Sequence, residues 1–113
     1  MDVLIIGSGI AGLCTALQLP DHKKVLLITK GQINECSTSW AQGGIASVMS
    51  ECDSFEKHLN DTIENGHDII DENIAYEVIK EGPSCIKWLI DMGVPFTKNK
   101  RNNISLTLEA AHS

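Results

Sequence analysis

Asp2-Val3-Leu4-Ile5-Ile6-Gly7-Ser8-Gly9-Ile10-Ala11-Gly12-Leu13, DVLIIGSGIAGL, decides the fold. Val3–Ile6 is an unbroken apolar run of strand length, as expected of a strand buried on both faces. Three glycines follow at once, at positions 7, 9 and 12. Ile10, Leu13, Cys14 and Leu17 then recur at helical spacing until Pro20-Asp21. Val25-Leu26-Leu27-Ile28 is a second apolar run. Strand, glycine turn, helix and strand within about thirty residues predict a parallel βαβ unit and an α/β, Rossmann-like fold.

The glycine spacing has a physical meaning. Gly7 permits a tight turn, Gly9 lets a pyrophosphate approach the backbone, and Gly12 lets the helix lie close to the sheet. The helix N-terminus then offers N–H groups and a partial positive charge to phosphate oxygens. A GxGxxG pattern alone is weak. Here it has a strand before it and a helix and strand after it. A dinucleotide site is therefore expected, with Gly7, Ser8, Gly9, Ile10, Ala11 and Gly12 as contacts; the alternative is a purely structural turn. One feature departs from the usual pattern. The second strand ends in Thr29-Lys30, where an acidic residue commonly grips the ribose. The Thr29 hydroxyl can still hydrogen-bond. Lys30 either pairs with a phosphate or ring oxygen or is a solvated strand-end lysine.

The chain has 113 residues, 42% hydrophobic and 21% charged, with a net charge of −6. That composition suits a soluble globular domain. The acidic balance weighs against nucleic acid as a partner, since phosphate neutralisation needs clustered Lys and Arg. The short basic cluster Lys98, Lys100, Arg101 reads as a solvated loop. Cys14, Cys36, Cys52 and Cys85 form no CxxC pair, so no metal site is expected. Reduced thiols in the cytoplasm are the default. The N-terminal apolar run lacks a basic leader and is interrupted by glycines, which argues against a signal peptide or a membrane span.

Residues 30–52 are rich in Gly, Ser and Thr and have no period, and are expected to form a long functional loop. Within it lies Ser37-Thr38-Ser39-Trp40-Ala41-Gln42-Gly43-Gly44. The glycine motif does not separate FAD from NAD. This loop favours FAD, because Ala-Gln-Gly-Gly can bring peptide N–H groups against a flat ring edge. Ser37 and Thr38 can donate to pyrophosphate or ring oxygens. Trp40 lies in this flavin-facing stretch, although a lone Trp more often packs in a core.

Farther along, Asp53-Ser54-Phe55-Glu56 resembles a capping box with Asp53 as the cap. Phe55, Leu59 and Ile63 lie on one helix face, and Gly66 is expected to stop that helix. A second helix is expected near Asp71, with Ile74, Val78 and Ile79 apolar, broken at Gly82-Pro83. A third carries Ile86, Leu89 and Ile90 and ends at Gly93. Ile104, Leu106 and Leu108 alternate with hydroxyl residues, as in a half-exposed strand.

Taken together, DVLIIGSGIAGL, ITKG, STSWAQGGIASV, DSFEKHLNDTIENG, WLIDMGVPF and LTLEAAHS resemble the N-terminal part of the L-aspartate oxidase family. That family lies within the succinate dehydrogenase/fumarate reductase flavoprotein superfamily. The glycine motif is widely shared and AQGGIA is shared across the superfamily; WLIDMGVPF and LTLE are more specific. The resemblance implies FAD-dependent oxidation of L-aspartate to iminoaspartate, with O₂ or fumarate as acceptor, as the first step of NAD biosynthesis. Quinolinate synthase is then an implied partner. Ser8–Ala11, Lys30 and Ser37–Gly44 match FAD-contacting segments, including Ser39, Ala41, Gln42, Gly43 and Gly44. Ser37 stands where the covalent flavoproteins carry the His that bonds to FAD, which implies non-covalent FAD. Glu109 matches a glutamate near the substrate, suited to an α-ammonium. Ala110 and Ala111 replace a usual glycine-containing pair, and His112 is a possible flavin or substrate contact.

The family's chains are several times longer. Residues 1–113 are therefore expected to be an incomplete FAD-binding domain. The rest of that domain, a capping domain and a C-terminal helical domain would be absent. Alone, the chain is expected to be inactive and prone to self-association through open strand edges. Three alternatives stay open: a fumarate reductase-like flavoprotein with non-covalent FAD, a nucleotide-binding module without chemistry, and a fragment that binds nothing.

Overall fold

The computed structural model describes residues 1–41, 43–108 and 111–113. The chain divides into two compact units, Met1–Gly44 and Ile45–Ser113.

In the first unit, β1 (Val3–Ile6) and β2 (Val25–Ile28) pair in parallel, with Val3 opposite Val25 and Ile6 opposite Ile28. The helix α1 (Ile10–Gln18) joins them, so the expected βαβ unit is present. The ladder is extended at both ends. The Asp2 N–H donates to the Lys24 carbonyl, the Lys24 N–H returns to the Asp2 carboxylate, and the Gly7 N–H donates to the Ile28 carbonyl. Side chains of successive strand residues point to opposite faces. Val3, Ile5, Val25 and Leu27 lie on the better covered face, and Ile5 is buried. Leu4, Ile6, Leu26 and Ile28 form the other face and are all exposed, Ile6 at 79%. On α1, Ile10, Leu13 and Leu17 are also exposed, so their apolar stripe is only partly used. The loop after β2 is not wholly irregular: Ser37–Trp40 forms a single helical turn, α2. A four-residue turn is too short to leave a periodic signature.

The second unit is built on α3 (Phe55–Gly66) and α4 (Glu72–Asp91), packed together and separated by a 3₁₀ turn at His67–Ile69. Ser54, rather than Asp53, caps α3: its hydroxyl accepts from the Lys57 N–H at 3.1 Å, and Asp53 accepts from the Ser54 N–H instead. Gly66 does not supply the left-handed stop. It keeps φ −90°, and a Cβ there would collide with the Ile70 side chain; His67 takes the positive φ of 50°.

Helix α4 is continuous through Gly82-Pro83, contrary to the expected break. Proline offers no N–H to the Ile79 carbonyl, yet the buried Ile79 and Ile86 fall seven residues apart on one face, so packing carries the helix across. Gly82 serves closeness: a Cβ there would lie 2.8 Å from the Ser47 hydroxyl. Ile74 and Val78, expected on the apolar face, are exposed at 64% and 67%. Asp71 caps α4 by accepting from the Asn73 and Ile74 N–H groups. Gly93, at φ 91°, ends it as expected. The Gly93 N–H bonds the Ile90 carbonyl and the Val94 N–H the Leu89 carbonyl, a Schellman arrangement.

The expected strand at 104–108 is not formed among the described residues. Only an antiparallel bridge between Lys98 and Ile104 appears, closing an exposed turn that holds Lys100 and Arg101. Asn99 organises that turn by accepting from the Arg101 and Asn103 N–H groups. Leu106 and Leu108 remain exposed, without a neighbouring strand among the described residues to pair with. No disulfide links the cysteines, and no described helix is long and apolar enough to cross a membrane.

Candidate dinucleotide site

The three motif glycines have three different explanations. Gly7 has φ 112°, and a Cβ on it would meet nothing within 4 Å, so its need is conformational. Any L-residue is disfavoured there. Gly12 is needed for space. A Cβ would collide with the Gly7 carbonyl oxygen and press on the Ile5 side chain. Gly9 has neither need. Its backbone, φ −71° and ψ 175°, suits any residue, and a Cβ would make only an ordinary 3.7 Å contact with Thr38. Among the described residues nothing asks for glycine at 9. A bare backbone at this place is what close approach of a pyrophosphate requires.

Gly9 is also the N-cap of α1, with no side-chain cap and no acidic residue in the first turn. The first-turn N–H groups precede any intrahelical acceptor. One of them is taken up by the loop: the Ile10 N–H donates to Thr38 Oγ1 at 3.0 Å. A hydroxyl at this point marks where an anionic oxygen is favoured. Ser8 is buried at 2% exposure, and its hydroxyl donates to Thr29 Oγ1 at 3.2 Å, tying the glycine turn to the end of β2. Thr29 thus occupies the strand end that commonly carries a carboxylate, and it is engaged inward. Lys30 follows it and is exposed.

In α2, the Ser39 N–H returns to the Cys36 carbonyl, and the Ser39 hydroxyl lies 3.3 Å from the Cys36 sulfur. The Ser39 hydroxyl first, then the Ser39 backbone N–H facing the sulfur, hold the Cys36 thiol below its usual range. Ser37 and Ser39 are exposed beside Thr38. Trp40 is exposed at 82%, which overturns a core role for it. Ala41, Gly43 and Gly44 are exposed as well; Gln42 lies outside the described residues. The structure therefore brings Ser8, Gly9, Ile10, Thr29 and Thr38 to one edge of the first unit, with Lys30 and α2 beside them. Glu109 and Ala110 lie outside the described residues. His112 belongs to the second unit, its ring edge-on to His58 with centroids 6.1 Å apart. Sequence reasoning missed the Ser8–Thr29 link. The polar residue ending an otherwise apolar strand was the available signal.

A parallel βαβ unit with a glycine turn, an open helix N-terminus and a hydroxyl loop over it defines a dinucleotide-binding fold. Comparison with known proteins narrows this: the profile of the FAD binding domain matches residues 2–113, and the chain belongs to that family. It is 40% identical to an L-aspartate oxidase of Pseudomonas aeruginosa, over 99% of this chain and 22% of the relative. An L-aspartate oxidase of Vibrio cholerae is 45% identical, with the same two coverages. Among solved structures, Mycobacterium smegmatis Sdh1 in complex with UQ1 superposes with a TM-score of 0.88 at 28% identity, over 99% of this chain and 19% of that one. An E. coli quinol fumarate reductase FrdA chain gives 0.84 at 28% identity, over 94% and 19%. The chain spans about a fifth of the length of the curated relatives it matches.

Proposed function

We propose that this chain forms the phosphate-binding part of the FAD site of an L-aspartate oxidase. The observation that carries the reading is Gly9, a glycine whose absence of a side chain serves no need of the fold. On this reading the first-turn N–H groups of α1 bind the pyrophosphate, and Ser37, Thr38 and Ser39 donate to its oxygens. Ala41, Gln42, Gly43 and Gly44 line the ring edge with peptide N–H groups, with Trp40 beside them. Lys30 pairs with a phosphate or ring oxygen.

Bound FAD would supply the two-electron acceptor for the α-C–H bond of L-aspartate, giving iminoaspartate. Glu109 would hold the α-ammonium and orient that bond. Ser37 has no nucleophilic ring nitrogen, so FAD is held without a covalent link. O₂ or fumarate would take up the electrons, and the product would go to a quinolinate-forming enzyme in the cytoplasm. Residues 1–113 make up the N-terminal portion of the FAD domain. The open face of Leu4, Ile6, Leu26 and Ile28 favours self-association of the chain by itself. A second reading, a fumarate reductase-like flavoprotein with non-covalent FAD, draws on the superposition with FrdA.

A visible spectrum tests the cradle. The chain incubated with FAD and desalted should retain flavin absorbance, and acid precipitation should release all of it to the supernatant. A colourless chain would overturn the cradle for this molecule, and flavin remaining in the pellet would overturn non-covalent attachment. The 113-residue chain should release no H₂O₂ from L-aspartate; release would show that it needs no further domain.

A further inference from the structure

The end of β2 lacks the carboxylate that commonly holds a ribose, and Thr29 in its place is turned inward to Ser8. A carboxylate returns to this end of the strand from farther along the chain. The Glu35 N–H donates to the Gln32 carbonyl at 2.9 Å, closing a tight turn. The Glu35 side chain folds back over that turn, and its Oε2 accepts from the Gln32 N–H at 3.1 Å, just past Thr29 and Lys30. Gly31 makes the room. It takes no positive φ, so its backbone does not call for glycine. A Cβ on it would collide with Glu35 Oε2.

The bond to Gln32 occupies one oxygen of the carboxylate. Glu35 is exposed, and an ionised carboxylate has about four lone-pair sites, so its second oxygen is open to a ligand's hydroxyls. The charges along this edge are ordered. The first turn of α1 has no acidic residue and favours an anion. Lys30 is exposed at the strand end, and Glu35 lies beyond it. A phosphate against Glu35 would meet a like charge, whereas a neutral sugar suits it. The chain then runs into Cys36, the N-cap of α2, whose Thr38 hydroxyl meets the Ile10 N–H. Glu35 therefore sits on the stretch joining the strand end to the helix N-terminus. Those are the two places that hold the ribose and the pyrophosphate of a dinucleotide.

We propose that Glu35 is the ribose-binding residue of the cofactor site, accepting hydrogen bonds from the hydroxyls of the adenosine ribose of FAD in place of a strand-end carboxylate. Gly31 stays bare so that this carboxylate can lie at the end of β2. The proposal rests on the FAD reading above. The Gln32 N–H sets the carboxylate in advance, so less freedom is lost when the ribose arrives.

The test uses the whole 113-residue chain loaded with FAD. ADP, or dideoxy-ADP lacking both ribose hydroxyls, is added, and the flavin released into a filtrate is read. ADP should displace FAD about tenfold more effectively than dideoxy-ADP, as expected for hydrogen bonds to a charged group. Glu35→Gln keeps an oxygen for the Gln32 N–H but removes the charge, and the preference should fall to about twofold. Gly31→Ala keeps the charge but drives the carboxylate from its place, and the preference should fall likewise. Its urea midpoint should match the parent's, because the displaced atoms are the end of an exposed side chain. If Glu35→Gln weakens ADP and dideoxy-ADP equally, Glu35 only staples its turn and the proposal is overturned. A parent chain that holds FAD but shows no preference for ADP overturns it as well. A chain that holds neither FAD nor ADP would overturn the FAD reading itself, and the ribose role with it.

Discussion

The two units of the chain use glycine and apolar residues in opposite ways. In Met1–Gly44 a short glycine motif sets the turn and the core is slight: Ile5 and Ser8 are buried, and one whole sheet face stands open. In Ile45–Ser113 two amphipathic helices lock through Ile79 and Ile86. The first unit is shaped by its glycine turn, and the second by the packing of its two helices. The lesson is clearest in the glycines. Gly12 answers to the fold and Gly9 answers to no need of the described fold, although both belong to one motif.

Substituting these two glycines is the sharpest way to break that contrast. Gly12→Ala places a methyl group into the Gly7 carbonyl, a backbone atom that cannot rotate aside. It should cost about 3 kcal/mol, at the upper end for overpacking, read as a lowered urea midpoint followed by circular dichroism. Gly9→Ala should leave that midpoint within about 0.5 kcal/mol and abolish FAD retention after desalting. Equal losses of stability in the two variants would remove the distinction between a fold glycine and a ligand glycine.

The second unit should respond to ordinary helix chemistry. Ser54→Ala removes the acceptor for the Lys57 N–H and should cost about 1 kcal/mol. Asp53→Ala should cost less, because Asp53 accepts only from its neighbour Ser54. Urea titrations of both variants check the order, and a larger loss for Asp53→Ala would restore Asp53 as the cap.

That pair also shows how far the fold was legible in the sequence. The βαβ unit was readable because its signals are local: two apolar runs, a glycine turn and a helical period. The Gly93 stop was readable for the same reason. The misreadings fall where a distant neighbour decides. Gly82-Pro83 looks like a break until Ser47 is seen beside Gly82 and the Ile79–Ile86 face is seen to run on. Ile104–Leu108 alternates like a strand but has no partner strand among the described residues. At the candidate site, the glycine turn and the hydroxyl loop were legible. The inward engagement of Thr29 by Ser8 was not, because it depends on strand pairing across 21 residues.

The smallest expected effect concerns Gly66 and His67, where a glycine and a positive φ were expected to coincide and do not. His67 sits at φ 50° and ψ −141°, a region that suits glycine and costs other residues of order 1–3 kcal/mol. Gly66 beside it keeps an ordinary conformation, with the Ile70 side chain filling the space a Cβ would take. His67→Gly should relieve the backbone strain at the cost of greater freedom in the unfolded chain, roughly 0.5–1 kcal/mol. The net effect should be a gain of about 0.5 kcal/mol, seen as a slightly raised urea midpoint. Gly66→Ala should do the reverse, because its methyl would meet Ile70 in the packed turn between α3 and α4. If His67→Gly instead lowers stability, the imidazole at 67 makes a contribution larger than the strain it sits under. Gly66 and His67 would then both have to be read as packing residues.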